Sequence, residues 1–236
     1  MNIIGIDTSS AVATVALMNE SKLIAEYTLN HKKSHSTNLM PMLDEMLKAC
    51  EMKTSDIDLI AVCNGPGSFT GIRIGVATAK ALSHVLNVPI VAVNSLEVLA
   101  FNSVSSYSYV MPMMDAQRGQ VYSALYRCDG QVVELEGMGV KTIEEVLSQI
   151  EGLGERVMVL GEASELYRDE LSKLSNAVIP PRSQRMARAS SVCELAAKKY
   201  SCGEISNGFE LRPVYIRKSQ AEVQYEEKMK KALGNE

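Results

Sequence analysis

Apolar residues at Ile3, Ile4 and Ile6 open the chain and stop at Asp7, with the polar run Thr8-Ser9-Ser10 behind them. A short apolar run bounded by turn residues predicts a buried strand. A second strand is expected over residues 11–18, a turn at Asn19-Glu20-Ser21-Lys22 and a third strand over 23–29. The period then changes. Leu39, Leu43, Met46, Leu47 and Cys50 recur at helical spacing, which predicts a helix over 36–50 with one apolar stripe. Pro41 falls in its first turns, where proline is tolerated best. A buried strand over 59–63, a helix over 70–86, a strand over 90–93 and a helix beginning at 96–101 complete a β-β-β-α-β-α-β-α half.

The second half repeats this plan. With Asp7 set on Asp115, the apolar Ile3, Ile4 and Ile6 meet Met111, Pro112 and Met114, and Ala13, Val15 and Leu17 meet Val121, Ser123 and Leu125. The turn at Glu20-Ser21-Lys22 falls on Cys128-Asp129-Gly130. Strand, turn and strand keep register, which is how an internal duplication reads. Helices are then expected over 142–150, 165–174 and 190–200, with a strand over 157–160. The Ser-rich stretch Asn102-Ser103-Val104-Ser105-Ser106 divides an N-terminal lobe, 1–102, from a C-terminal lobe, 103–236, whose last helix is expected to pack back on the first lobe. A duplicated α/β unit with an acidic residue closing its first strand resembles the actin/hexokinase/Hsp70 (ASKHA) superfamily. That resemblance implies a nucleotide between the lobes, with phosphate and metal held at the turns after the first strands.

Composition narrows the classes. At 46% hydrophobic and 22% charged, the 236 residues have ordinary globular composition. No apolar run approaches the roughly 20 residues that span a bilayer, and MNIIGIDTSS lacks the basic start and cleavage site of a signal peptide. The five cysteines are scattered and never spaced as a CxxC pair, which fits free thiols in a reducing cytoplasm. The net charge of −4 argues against gripping a nucleic acid alone, because phosphate contacts dominate such binding. The basic clusters Lys32-Lys33 and Lys228-Lys230-Lys231 both read as solvated surface.

Two stretches carry candidate chemistry. In Asp7-Thr8-Ser9 the carboxylate suits a metal–phosphate and the hydroxyls suit phosphate oxygens, although the same residues make an ordinary turn. In Gly65-Pro66-Gly67-Ser68-Phe69-Thr70-Gly71, glycines between a strand and a helix can turn amides toward an anion. The Gly-Lys-Ser/Thr ending of a P-loop is absent, and Ser68 equally suits a helix cap. The candidate phosphate residues are therefore Asp7, Ser9, Gly65, Gly67 and Ser68. On the following helix Gly71, Gly75, Ala79 and Ser83 recur every four residues. Such a face lets another element approach closely, either the chain's own sheet or a partner's helix. His31, His35 and His84 form no HxxxH or HExxH pair, and no Cys/His set has zinc spacing.

The strings IIGIDTSS, HSTNLMPML, AVCNGPGSFTGIRIGVATAKAL, AVNSLEVLA and LRPVYIRKSQAE together resemble the TsaB (YeaZ) family, from Met1 to about Glu222, with GPGSFTGIRIG the most specific piece. The resemblance implies a subunit of the complex that forms threonylcarbamoyladenosine (t6A) at position 37 of ANN-decoding tRNAs. It implies a heterodimer with a TsaD-type paralogue, a homodimer when that partner is missing, a TsaE-type ATPase as third member, and contact with tRNA only through the complex. TsaD-type relatives carry an HxxxH metal pair. Aligned through Val91-Ala92-Val93, those positions hold Ser95 and Leu99 here, so the catalytic residues do not carry over. The expectation is a cytoplasmic scaffold subunit without cofactor of its own, ATP/ADP and metal residing on its partners. The alternative is a nucleotide-dependent kinase- or ATPase-like enzyme, or a metallopeptidase-like one, of the same superfamily. The resemblance also implies that the two N-terminal helices form the partner interface, through Leu39, Leu43, Met46, Leu47, Gly71, Ile72, Gly75, Ala79 and Ser83.

Overall fold

The computed structural model describes residues 1–31, 35–206, 208 and 210–217. Lys32-Lys33, the basic cluster at Lys228-Lys230-Lys231 and the end of the LRPVYIRKSQAE string lie outside the described residues.

The first lobe contains β1 (Ile3–Asp7), β2 (Ala13–Met18), β3 (Leu23–Leu29), α1 (His35–Ala49), β4 (Leu59–Cys63), α2 (Phe69–Leu86), β5 (Ile90–Val93) and α3 (Ser95–Phe101). The second contains β6 (Ser108–Gln117), β7 (Gln120–Cys128), β8 (Val132–Thr142), α4 (Ile143–Leu153), β9 (Val157–Leu160), α5 (Ala163–Leu166), α6 (Arg168–Leu171), β10 (Ala177–Val178) and α7 (Ala189–Ser201). Each lobe holds one five-stranded sheet, ordered β3-β2-β1-β4-β5 and β8-β7-β6-β9-β10. In both, the first three strands form an antiparallel meander and the fourth and fifth run parallel to the first. The duplicated β-β-β-α-β-α plan expected from the sequence is therefore present strand for strand.

Each sheet has helices on both faces. On one face of the first sheet, Leu39, Leu43 and Met46 of α1 and Ile72, Val76 and Ala79 of α2 pack on Ile4, Ile6, Val15 and Val62. On its other face, Val98 of α3 and Val192, Cys193 and Leu195 of α7 cover Ile3, Met18, Leu59 and Val91. The second sheet is covered on one side by α4, α5 and α6 and on the other by Leu96, Leu99 and Ala100 of α3. Thus α3 contributes to the cores of both lobes, and α7, which follows the second sheet in sequence, lies on the first. A Cβ at Gly5 would sit 2.5 Å from the Ala189 carbonyl oxygen and 2.6 Å from Cys193 Sγ, so this glycine lets α7 lie directly on β1.

Some boundaries differ from the sequence reading. β2 begins at Ala13, not residue 11, because Ser10 Oγ accepts the Val12 amide at 3.1 Å and holds the chain in a bend. β8 runs through Thr142, whose side chain then caps α4 in a capping box with Glu145. The single helix expected over 165–174 is two short ones, because Tyr167 leaves helical values at φ −110°, ψ 30°. Among the described residues no helix is long and apolar enough to cross a membrane.

Candidate functional site

The turn after β1 folds as an Asx-type turn. Asp7 Oδ1 accepts the Ser9 amide at 2.7 Å, the local bond that Asp makes two residues on. The whole turn is enclosed: Asp7 and Ser9 are 0% exposed and Thr8 is 1% exposed. Burial raises the Asp7 pKa, only partly offset by its hydrogen bond to the Ser9 amide. The Ser9 hydroxyl and Cys63 thiol lie beside this carboxyl, yet Asp7 Oδ2 and Ser9 Oγ have no partner of hydrogen-bonding geometry. Burial likewise pushes the Cys63 thiol up, and it donates to Ser95 Oγ at 3.3 Å.

The enclosing element is the glycine-rich loop itself. Ser68 N donates to the Ser9 carbonyl at 2.7 Å, and a Cβ at Gly67 (φ +148°) would overlap that same carbonyl oxygen. Gly65 is held between the Ser95 amide, which donates to its carbonyl at 2.9 Å, and the Val214 carbonyl, 2.8 Å from where its Cβ would be. Ser68 caps α2 by accepting the Gly71 amide. So Asp7, Ser9, Gly65, Gly67 and Ser68 do come together, but to pack loop on turn. The space that a metal-bound phosphate would need beside Asp7 is filled by backbone, so this carboxylate does not fit a metal–phosphate as it stands.

The small-residue stripe answers the same way. Thr8 Oγ1 donates to the Gly71 carbonyl at 2.7 Å, and a Cβ at Gly75 would sit 2.5 Å from that hydroxyl. Gly71, Gly75, Ala79 and Ser83 are buried against the chain's own first strand and its surroundings, and Ile72 joins the core. Leu39, Leu43, Met46 and Leu47 are buried in the same core. As residues presented to a partner, these nine are corrected: an amphipathic stripe seeks the nearest apolar surface, and here that is the sheet beneath. The faces that α1 and α2 present outward carry Met40, 51% exposed, and Val85, 78% exposed, with Pro41, Ala77 and Ala81 also exposed.

Between the lobes lies a cleft of about 870 Å³. Ser9, His35 and Arg73 line it from the first lobe, Asp115, Arg118 and Glu162 from the second. His35 reaches the Ser10 carbonyl through Nε2 at 2.9 Å. The segment after α7 crosses one end. It pairs Ser206 with Ile90, donates the Val214 amide to the Asn64 carbonyl at 2.7 Å and stacks Tyr215 on Phe69 at 4.6 Å between centroids. Arg73 lies 3.8 Å over the Phe69 ring and donates to Tyr215 Oη at 2.7 Å. Arg217 reaches the second lobe and donates to the Ala116 carbonyl at 2.6 Å. Sequence reading missed this strap and Glu162, since no spacing rule links residue 73 to 215 or 115 to 162.

The positions aligned with a metal-binding HxxxH pair, Ser95 and Leu99, are 1% and 2% exposed on α3, where Leu99 packs in the second lobe's core.

Residues 22–225 match the family model described as TsaD, tRNA N6-adenosine threonylcarbamoyltransferase. The chain is 35% identical over 234 residues to the tRNA threonylcarbamoyladenosine biosynthesis protein TsaB of Bacillus subtilis, covering 98% of this chain and all of that one. It is 28% identical to the Escherichia coli protein of the same description over 94% of this chain and 96% of the other. Among solved structures, YeaZ from Pseudomonas aeruginosa shares the fold, with a TM-score of 0.78, 24% identity and coverage of 91% of this chain and 99% of that one.

Proposed function

From the premise that the chain belongs to the TsaB (YeaZ) family of tRNA threonylcarbamoyladenosine biosynthesis proteins, we propose that it acts in the cytoplasm as a partner subunit that supports catalysis without performing it. Its TsaD-type paralogue holds the metal and the active site, a TsaE-type protein supplies ATPase activity, and tRNA is reached through the assembled complex. The observation that carries this reading is the pair Ser95 and Leu99. Both are buried on α3, and a leucine cannot coordinate a metal. The filled space beside Asp7 supports it further.

The docking surface of this reading is the outward face of α1 and α2 around Met40, Pro41, Ala77, Ala81 and Val85. Methionine adapts to non-identical surfaces, so one face can serve both a homodimer and a heterodimer, which then compete. The test combines the purified chain with TsaD-type and TsaE-type proteins and measures threonylcarbamoyl transfer to tRNA. The chain alone gives no turnover, and the full set does. Met40→Glu with Val85→Glu leaves the circular dichroism spectrum unchanged and abolishes co-elution with the TsaD-type protein. Turnover by the chain alone would overturn the supporting role; co-elution of the folded double variant would move the interface elsewhere.

A further inference from the structure

The interlobe cleft gathers charges that have no ion-pair partner among the described residues. Asp115 and Arg118 stand on the β6–β7 hairpin, and Glu162 comes to it by accepting the Asp115 amide through Oε1 at 3.2 Å. Arg217 arrives from the strap and spends its hydrogen bonds on the Ala116 and Gln117 carbonyls, at 2.6 and 3.4 Å. Two carboxylates and two guanidiniums are thus gathered round one hairpin. Among the described residues no ion pair joins any of them. Elsewhere in the molecule Arg127, Arg168, Arg185 and Arg188 each hold a glutamate. Glu162 is reached by water from the cleft, but the protein crowded about it raises its pKa by burial, with Asp115 and Asp7 adding to the shift.

We propose that this cleft binds a small zwitterion, its anionic end on Arg118 and Arg217 and its amino end on Asp115 and Glu162. A simple anion would bring its charge beside two carboxylates, and a simple cation beside two guanidiniums. A molecule carrying both ends satisfies both pairs with no net charge change, and charge-assisted contacts are the strong ones. The volume suits such a guest, since small-molecule clefts run from about 300 to 1,000 Å³. A metal-bound nucleoside triphosphate finds no carboxylate seat at Asp7, which is 0% exposed and covered by the turn and the glycine-rich loop. The inference goes beyond the subunit role and does not depend on it.

The probe is the series of straight-chain ω-amino acids from β-alanine to 8-aminooctanoate, titrated calorimetrically into the full chain at low salt. Hexanoate, hexylamine and ATP serve as comparison ligands. At least one length binds saturably and more tightly than all three, and the preferred length measures the spacing of the two poles. Arg118→Asn, chosen because asparagine accepts the left-handed backbone at φ 57°, weakens that ligand about tenfold or more, as expected for loss of one charge-assisted contact. Glu162→Gln, which keeps an acceptor for the Asp115 amide, does the same. Lys173→Gln, exposed on the turn after α6, changes nothing. Absence of saturable binding by every length, equal binding of hexanoate, tighter binding of ATP, or unchanged affinity in Glu162→Gln each overturns the proposal.

Discussion

Individual residues in this chain are chosen less for what they bind than for how closely backbone passes backbone. Gly75 is the clearest case. A methyl group there would press on the hydroxyl that Thr8 donates to the Gly71 carbonyl. Gly75→Ala should therefore cost about 1–3 kcal/mol through overpacking and a strained hydrogen bond. Against it runs alanine's better helix propensity, about 1 kcal/mol. A lowered midpoint in urea unfolding checks the sign, and a rise would show that Thr8 simply swings away. Asp7 makes the opposite prediction. Its folded pKa is raised above the unfolded value, so the stability it contributes is full below the unfolded pKa and is lost as pH rises through the folded one. At neutral pH a buried, half-satisfied carboxylate is a liability. Asp7→Asn keeps an acceptor for the Ser9 amide and should raise the melting temperature at pH 7, with the gain vanishing near pH 4. That Asp7-Thr8-Ser9 forms a local turn is legible in the sequence, because an Asx turn involves only near neighbours. That Gly67, Gly71 and Gly75 face this turn is not, because a glycine does not announce which distant backbone approaches it.

At the scale of elements, periodicity reveals that α1 and α2 are amphipathic but not what their apolar faces meet. The stripe through Leu43 and Met46 and the small-residue face through Gly75 are one wall of the chain's own core. The surface left for a partner is the less conspicuous set around Met40 and Val85. The same difficulty hides the anchoring of α7. Glu26, on β3, accepts from Arg188 Nε at 3.1 Å and from Arg188 Nη2. It also accepts from the Ser190 amide at 2.9 Å and the Ser190 hydroxyl at 2.7 Å. It thus places a carboxylate at the N-terminus of a helix whose own cap residue supplies no side-chain bond, where an anion is favoured. Burial tends to raise the Glu26 pKa, but the Arg188 and Ser190 hydrogen bonds outweigh it and the net shift is downward. A depressed carboxylate stabilises above its unfolded pKa, and that contribution fades as pH falls through the folded value. Glu26→Gln should cost about 1.5–3 kcal/mol at pH 7, the range for hydrogen bonds to a charged group. The cost should shrink as pH falls below about 4, the range of an unperturbed carboxyl, as read by paired denaturation curves.

At the scale of the whole molecule, the duplication is visible in sequence because both meanders keep strand, turn and strand in register, whereas the crossing of the two halves is not. α3 carries Val98 into one lobe's core and Leu96, Leu99 and Ala100 into the other's, and α7 returns from the second lobe to cover the first sheet. Two lobes that share helices in this manner cannot unfold independently. A chain ending at residue 106 keeps every strand of the first sheet but loses α7, exposing the face that carries Ile3, Met18, Leu59, Val91 and Val93. Burial of one such side chain is worth roughly 1.5–3 kcal/mol. Five together rival the whole stability of a natural protein, about 5–15 kcal/mol. The truncated chain should therefore lack cooperative unfolding and bind an apolar dye. The full chain should unfold in urea as one transition, with far-ultraviolet circular dichroism following the helices of both lobes and tyrosine fluorescence weighted toward the second, which holds Tyr109, Tyr122, Tyr126 and Tyr167. Coincident curves are the expected result. Two separated transitions, or a residue 1–106 fragment that melts cooperatively, would show that the shared helices dock the lobes without making them one folding unit.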